Sequence, residues 1–205
     1  WCVCLAVPPV VSPLQVDVLI HHREQWRPTS TGKLIERAVH GARSHLFDRN
    51  PPADWRIPTD AGREMWILHP RGELLDRIAP SDRNPARIQA VLLDGSWSET
   101  RVLVRRTRAW GRLVSLPLDG RSRYLLREQL GEGQHSTAEA LIGLMAALGL
   151  REAEARLRLH FELHVYATLR ARGRKAEAAG YLDQSPIRDA LPGVIARLSE
   201  RRPNL

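Results

Sequence analysis

The stretch Val91-Leu92-Leu93-Asp94-Gly95-Ser96-Trp97 predicts a buried strand that ends in a tight turn and leads into a helix. The apolar run begins at Ile88 and stops at an acid, a glycine and a hydroxyl residue, which is typical of a buried parallel strand. Ser96 is a predicted N-cap, and Glu99 stands three residues later, where a capping box places its acid. We therefore expect the helix to begin at Ser96.

Asp94 then stands at the carboxyl end of a core strand, which is where open α/β sheets bind their ligands. This position makes Asp94 a candidate site residue. The alternative is an ordinary strand-to-helix turn, because Asp, Gly and Ser are all common turn formers. The local pattern does not separate the two interpretations.

Apolar periodicity predicts further strands and helices on both sides of this stretch. Strands are expected over about 15–20, 64–68 and 112–118, and long helices over about 31–46, 96–108, 136–148 and 151–172. Short helices are expected over about 73–78 and 190–197, and loops over about 47–60 and 119–134. This order of elements is typical of a single α/β domain with a mainly parallel sheet.

Two loops carry groups suited to binding. Thr29, Ser30, Thr31 and Lys33 surround the start of a predicted helix, where hydroxyls and backbone N–H groups suit a carboxylate or a phosphate. Helix capping explains these hydroxyls equally well, and the glycine spacing is not that of a P-loop. The 119–134 loop is long for a compact domain, and such loops often carry function.

The charge balance favours a polyanionic partner. The chain of 205 residues has 31 basic and 23 acidic residues, a net charge of +8, and only Lys33 and Lys175 are lysines. Arginine suits phosphate and base contacts, so nucleic acid is one explanation and an arginine-rich proteome is the other. The sequence shows neither a membrane-length apolar run nor a signal peptide, so we expect a soluble, cytoplasmic protein without a membrane partner.

Cys2 and Cys4 are the two cysteines of the chain. Their spacing disfavours a relaxed disulfide, because alternate positions along an extended chain do not bring two sulfurs together in the required geometry. They suit two of the four ligands of a zinc ion, with two more from elsewhere. The alternative is a pair of buried or free thiols.

Several segments together resemble the DTW-domain family. Asp94-Gly95-Ser96-Trp97 is similar to the Asp-x-Thr-Trp signature of the family. The segments 21–24 and 30–34 are similar to its His-Pro-x-Glu and Asn-Thr-Gly-basic-Leu motifs, and 123–129 and 136–140 to its Tyr-x-Leu-Arg-x-Gln and Ser-Thr-x-Glu-Ala motifs. Cys2 and Cys4 resemble the second half of its N-terminal four-cysteine cluster. The departures are Ser96 for threonine, Ser30 for asparagine and His22 for proline.

The resemblance covers about residues 1–169 and implies a SPOUT-like fold with a C-terminal trefoil knot and a zinc-type cysteine cluster that is incomplete in this chain. It divides the chain into a remnant of the cluster over 1–14, a catalytic domain over 15–175 and a basic tail with a short helix over 176–205. It implies transfer of the 3-amino-3-carboxypropyl group of S-adenosylmethionine to a uridine of tRNA, with methylthioadenosine as the leaving product. The expected oligomeric state is a monomer or a homodimer.

The residues and the resemblance together assign three groups of site residues. The candidate catalytic residues are Asp94, Ser96 and Trp97. The candidate cofactor-binding residues are Thr29, Ser30, Thr31, Leu93, Asp94, Gly95, Leu116, Leu118, Tyr124, Leu126, Arg127, Ser136, Thr137 and Glu139. The candidate substrate- or RNA-binding residues are His21, Glu24, Arg27, Lys33, Arg101, Arg105, Arg121 and Arg123.

Several of these residues have more than one interpretation. Asp94 is a candidate base for the N3 proton of uridine, or it holds the cofactor's ribose or amino group, or it caps the following helix. Trp97 either stacks on a base or packs in the core. Arg127 is expected to pair with the cofactor's carboxylate. Glu139 either meets the cofactor's amino group or serves only as the capping-box partner of Ser136.

The sequence is also compatible with two other functions. A SPOUT-type RNA methyltransferase would share the fold and S-adenosylmethionine, but it would release S-adenosylhomocysteine. An RNA-binding module without chemistry would not need the cofactor at all.

Overall fold

The strand that ends at Asp94 lies inside a sheet of five strands whose pairs are all parallel. A computed structural model of the protein describes residues 3, 5–118, 120–127 and 134–200. The strands are β1 (Gln15–His21), β2 (Arg43–Phe47), β3 (Glu64–Leu74), β4 (Ile88–Asp94) and β5 (Arg112–Ser115), in the order β2-β1-β4-β3-β5. The predicted α/β domain with a mainly parallel sheet is confirmed.

Helices follow most of the strands and fill the carboxyl-terminal half of the chain. They are α1 (Thr31–Ala38), α2 (Trp97–Thr107), α3 (Thr137–Ala147), α4 (Arg151–Ala171), α5 (Lys175–Asp183), α6 (Ile187–Ala190) and α7 (Pro192–Glu200). Short 3₁₀ turns cover Leu75–Arg77, Pro80–Asp82 and Pro85–Arg87. Within the described ranges, no helix has the length and apolarity needed to cross a membrane.

The two faces of the sheet pack against different helices because side chains alternate along each strand. On β4, Ala90 and Leu92 join a large core with residues of α1 and of α3 to α7, whereas Val91 and Leu93 face α2 through Leu103. The large core also includes Phe161 of α4, which is buried. The sheet is therefore the middle layer of three.

The structure corrects the predicted helix over 31–46, which is a shorter helix followed by a strand. The helix α1 ends at Ala38 because Val39 adopts an extended backbone and Gly41 takes a left-handed conformation with φ 75°. The chain then returns as β2, which pairs with β1 along the edge of the sheet. The strand was missed because it lacks apolar alternation: its Arg43 and His45 bind the buried carboxylate of Asp17 instead.

The strand β3 is longer than predicted, and β5 is shorter. β3 continues to Leu74 through an irregularity after Leu68, so the predicted short helix over 73–78 is the end of β3 and a 3₁₀ turn. β5 ends at Ser115, and the next residues leave the sheet to line a cavity.

The carboxyl-terminal segment contains three helices where one short helix was predicted near 190–197. Each contributes only one or two buried residues, among them Tyr181 of α5, Ile187 of α6 and Leu198 of α7. So few buried residues leave no clear apolar periodicity, and only packing on α4 and its neighbours defines the helices. The division at residues 14 and 175 and the trefoil knot stay predictions.

Candidate active site

A cavity of about 510 Å³ opens at the carboxyl edge of the sheet. Its walls come from the ends of β3, β4 and β5 and from the starts of α1, α2 and α3. The chain leaves β1 toward β2 on one side, and it leaves β4 toward β5 on the other side, so neighbouring connections diverge between β1 and β4. Open α/β sheets bind ligands at such a switch point.

Asp94 lies at this point, and only 3% of its surface is exposed. The Ser30 hydroxyl donates to Oδ2 over 2.7 Å, and the Thr137 hydroxyl donates to Oδ1 over 2.6 Å. The backbone N–H of Gly32 donates to Oδ1 over 3.3 Å. The carboxylate thus joins β4 to the first turns of both α1 and α3.

Gly32 is required for this close approach. A Cβ atom at this position would lie 2.7 Å from Cγ of Asp94 and 2.9 Å from Cγ1 of Val18. Such distances are far shorter than a normal carbon–carbon contact, so a larger residue would push α1 away from β4.

The turn after Asp94 has the predicted capping box. The N–H of Ser96 donates to the carboxylate of Glu99 over 2.7 Å, and the hydroxyls of Ser96 and Ser98 are 3.1 Å apart. The Glu99 carboxylate also lies 3.6 Å from Nδ1 of His21. Burial of the His21 imidazole lowers its pKa, although Glu99 opposes this shift. Glu99 therefore connects the start of α2 to the end of β1.

Trp97 belongs to the cavity wall. Its side chain is 38% exposed, and it is absent from both described apolar cores. This placement favours the stacking role over the packing role that the sequence left open.

An ion pair between the buried Glu24 and the half-buried Arg127 lies behind another part of the wall. Arg127 donates to the carboxylate of Glu24 and, through Nε, to the Thr29 hydroxyl over 3.1 Å. Burial raises the pKa of Glu24, and Arg127 and Arg27 oppose that shift. Tyr124 donates its hydroxyl to the Thr29 carbonyl. The 120–127 segment is thus attached to the loop before α1.

Glu139 attaches the 120–127 segment to the start of α3. Its carboxylate accepts the N–H of Ser136, the hydroxyl of Ser122 and the N–H of Arg123, each over 2.7 Å. These contacts favour the capping role over contact with a ligand, and they extend it to the 120–127 segment.

The structure brings most of the predicted cofactor residues and all three predicted catalytic residues together around the cavity. Those that line it are Thr29, Thr31, Leu93, Asp94, Gly95, Ser96, Trp97, Leu116, Leu118, Tyr124, Arg127, Ser136 and Thr137. Of the predicted RNA-binding residues, Arg101 reaches the cavity wall.

The other predicted residues lie behind the wall or away from it: His21, Glu24, Arg27, Ser30, Lys33, Arg105, Arg121, Leu126 and Glu139, together with Arg123. Ser30 and Glu24 act behind the wall by holding Asp94 and Arg127. Arg123 forms two bonds to Glu162, over 2.5 and 2.7 Å, and stacks over Tyr181. Its guanidinium therefore serves the fold, where the positive charge of Arg123 balances the negative charge of the buried Glu162.

Several cavity residues were not predicted: Leu68, His69, Pro70, Leu92, Ser98, Thr100, Val114, Ser122, Gln134, His135 and Ala140. His69 had a usable signal, because it follows an apolar run and precedes Pro70, much as Asp94 follows the apolar run of β4. The Nε2 atom of His135 is buried and has no hydrogen-bond partner within the described part of the chain. A buried polar atom without a partner indicates space for a polar ligand group.

The predicted metal ligands Cys2 and Cys4 lie outside the described residues. Among the residues that are described, no group of three or more His, Cys, Asp or Glu side chains is arranged to hold a metal ion. The zinc cluster stays a prediction.

The sequence is similar to known proteins. The family model of the DTW domain matches residues 1–169. Over 158 residues the chain is 26% identical to the Drosophila melanogaster protein named tRNA-uridine aminocarboxypropyltransferase 2. That alignment covers 74% of this chain and 62% of the relative, so the chain spans less than two thirds of the relative's length. No solved structure matches the chain.

Proposed function

The chain belongs to the DTW-domain family, and on this premise we propose that it transfers the 3-amino-3-carboxypropyl group of S-adenosylmethionine to N3 of a uridine in tRNA. The similarity to a protein named for this activity supports the proposal. The observation that carries it is the convergence on Asp94. Ser30, Gly32 and Thr137 come from two other motif segments, and all three donate to this one carboxylate.

The cavity has the size and chemistry for S-adenosylmethionine. Its volume of about 510 Å³ lies within the range of about 300–1,000 Å³ that is usual for small-molecule sites. Leu68, Leu116 and Leu118 offer an apolar wall for the adenine ring. Thr29 and Thr31 place hydroxyls in the same wall, and these suit polar groups of the methionine part. Arg127 lies in the same wall, where its guanidinium is paired with Glu24.

The reaction is a displacement at the γ-carbon of the methionine part. S-adenosylmethionine supplies a sulfonium that activates this carbon. The bond from uridine N3 to the γ-carbon forms, the bond from that carbon to sulfur breaks, and methylthioadenosine leaves with the electron pair. The N3 proton passes to a base or to water, and Asp94 is the carboxylate among the described residues that line the cavity.

The chain's main task in this reaction is to position two partners, because the leaving group is already activated. Trp97, exposed at the cavity wall, is placed to stack on the uracil or the adenine ring. Arg101 follows it by one turn of α2 and is suited to a phosphate next to the target nucleotide. Thr137 and Ser30 keep Asp94 in place between them.

The test is a single-turnover reaction with unmodified tRNA and two separately labelled samples of S-adenosylmethionine. Label in the methionine carboxyl group is expected to enter tRNA, and label in the methyl group is expected to stay in methylthioadenosine. Methyl label in tRNA together with S-adenosylhomocysteine would instead identify an RNA methyltransferase. Binding of tRNA without transfer of either label would identify a binding module.

A further inference from the structure

His69 stands where β3 departs from its regular pairing with β5. Leu68 pairs with Val114, and the register resumes only at Glu73, so residues 69–72 form a bulge at the carboxyl edge of the sheet. Bulges of this kind commonly re-aim a side chain beside an active site. Gly72 packs so closely on β5 that a Cβ there would lie 2.5 Å from the carbonyl carbon of Val114. The bulge is therefore held firmly in place.

The imidazole of His69 lies in the cavity wall and is directed by its own backbone. His69 is 8% exposed, and its Nδ1 atom accepts a hydrogen bond from the backbone N–H of Arg71 over 3.1 Å. A ring nitrogen that accepts a hydrogen bond carries a lone pair, so the neutral ring holds its proton on Nε2. Among the described residues, none accepts a hydrogen bond from this Nε2. Within the described part of the chain, His69 thus has an unused donor at the cavity.

The charge state of His69 agrees with the proposed ligand. Burial lowers the pKa of His69, and the positive charge of Arg71 lowers it further. The ring is therefore neutral near neutral pH, which avoids repulsion between an imidazolium and a sulfonium in the same cavity.

We propose that His69 binds the ligands of the cavity as a neutral donor, through Nε2–H, to an uncharged acceptor on a nucleobase. Two acceptors share this chemistry: a ring nitrogen of the adenine of S-adenosylmethionine and a carbonyl oxygen of the target uracil. The inference rests on the proposed function for the identity of these two ligands. If the acceptor is the uracil carbonyl, the bond strengthens as N3 loses its proton, because negative charge then spreads onto the carbonyl oxygens.

Three substitutions separate a donor from a merely structural side chain. His69→Gln places an amide N–H near the position of Nε2, whereas His69→Asn retains polarity only near Nδ1, and His69→Leu retains neither. We measure two quantities, the affinity for S-adenosylmethionine and the single-turnover rate. In the quantity that depends on the donor, we expect His69→Gln to stay within about threefold of the parent and the other two variants to lose about tenfold to a hundredfold. A rise in the dissociation constant for S-adenosylmethionine, measured by calorimetry, assigns adenine as the acceptor. Loss in the single-turnover rate at saturating S-adenosylmethionine assigns uracil.

Long-range ¹H–¹⁵N spectra test the tautomer without any turnover. His160 provides an internal reference, because its Nε2 lies 2.9 Å from the carbonyl of Pro8 and a carbonyl only accepts. We expect His69 to show the same Nε2–H form, and its Nε2 signal to shift when S-adenosylmethionine or tRNA is added. His40→Leu, at an exposed position, is the control for loss of a histidine, and thermal unfolding checks that each variant folds.

The inference is overturned by an Nδ1–H tautomer, by full function in folded His69→Leu, or by equal losses in His69→Gln and His69→Leu. Failure of the proposed function gives a different pattern. In that case the parent transfers no carboxyl label. The tautomer of His69 and the affinity for S-adenosylmethionine can still be measured, because neither measurement requires turnover. A parent that binds neither ligand overturns both proposals.

Discussion

Asp94 shows how one side chain can organise a site. Its carboxylate accepts from Ser30, Gly32 and Thr137, which belong to segments far apart in the chain. These contacts favour a role that the sequence did not indicate, which is to hold the cavity together, over removal of the N3 proton, because three donors already occupy the carboxylate oxygens.

Asp94→Asn tests this role. The Asn carbonyl oxygen can accept from Thr137 and Gly32, and its amide can donate to the Ser30 hydroxyl, so the network is retained without the charge. We expect the affinity for S-adenosylmethionine to change little and the single-turnover rate to fall by less than about tenfold. Loss of a general base would instead cost about 10²–10⁴ in rate. Asp94→Ala, which removes all three contacts, is the control and is expected to weaken cofactor binding.

Gly32→Ala is predicted to damage the site through volume alone. The added methyl would lie 2.7 Å from Cγ of Asp94, and such overpacking typically costs about 1–3 kcal/mol. We expect a lower thermal midpoint and weaker binding of S-adenosylmethionine.

Gly180→Ala on α5 is the matched control, since nothing lies within 4 Å of its added Cβ. There the change is expected to be neutral or to stabilise the helix by up to about 1 kcal/mol. Unchanged stability and binding in Gly32→Ala would contradict the close packing of α1 on β4.

At the scale of the elements, buried charges as well as apolar contacts join the strands. Asp17 of β1 is fully buried and accepts from Arg43 and His45 of β2, over 2.8 and 2.6 Å, and from Gln89 of β4, over 2.9 Å. Burial alone would raise the pKa of Asp17, but the hydrogen bonds from His45, Arg43 and Gln89 lower the pKa below the ordinary value of an aspartate.

This network predicts a pH-dependent contribution to stability. Because the pKa of Asp17 is lower in the folded state, the unfolded state binds more protons in the acid range, so stability rises with pH there. The contribution is fully present above the unfolded pKa of about 4 and is lost as pH falls through the folded pKa. We expect Asp17→Asn to reduce the free energy of unfolding strongly near neutral pH, and less at about pH 3.

Urea unfolding at both pH values measures this difference. Asp183→Asn is the surface control, because Asp183 is exposed and its partner Arg188 is exposed as well. An effect of Asp17→Asn that stays constant over the acid range would show that the charge of Asp17 contributes nothing to the pairing of β1 with β2.

At the scale of the whole molecule, the net charge of +8 gives the proposed tRNA partner a physical basis. Part of the arginine excess serves the fold, since Arg43, Arg123 and Arg127 bind buried carboxylates. Exposed arginines of α2, among them Arg101 at the cavity wall, are the better candidates for phosphate contacts.

The salt dependence of tRNA binding tests these candidates. Each phosphate contact releases counterions, so the logarithm of the affinity should fall linearly with the logarithm of the salt concentration. We expect Arg101→Gln to weaken binding and to reduce the slope by about one, measured by fluorescence anisotropy. Arg188→Gln on α6 is the control, and its slope should equal that of the parent. An unchanged slope in Arg101→Gln would remove this residue from the RNA interface.

The sequence by itself determined the strands and helices whose signals are local. β1 and β4 are buried runs that end in polar residues, and α2 and α3 begin with capping boxes that the structure confirms. The motif segments also identified much of the cavity wall, because the segments 30–34, 94–97 and 136–140 each lie at a strand end or a helix start. Parallel strands bring such ends to one edge, so local patterns sufficed for the location of the site.

Only the tertiary structure decided which of these residues face the cavity and which hold it from behind. β2 was not predicted because its polar residues are satisfied by Asp17, and α5 to α7 because each buries few residues. The sequence indicated Glu24 and Arg123 as ligand groups and Glu139 as either a ligand group or a cap, yet their partners are other parts of the chain. Long-range pairing decides whether a polar side chain serves the fold or a ligand, and the local sequence does not contain that pairing.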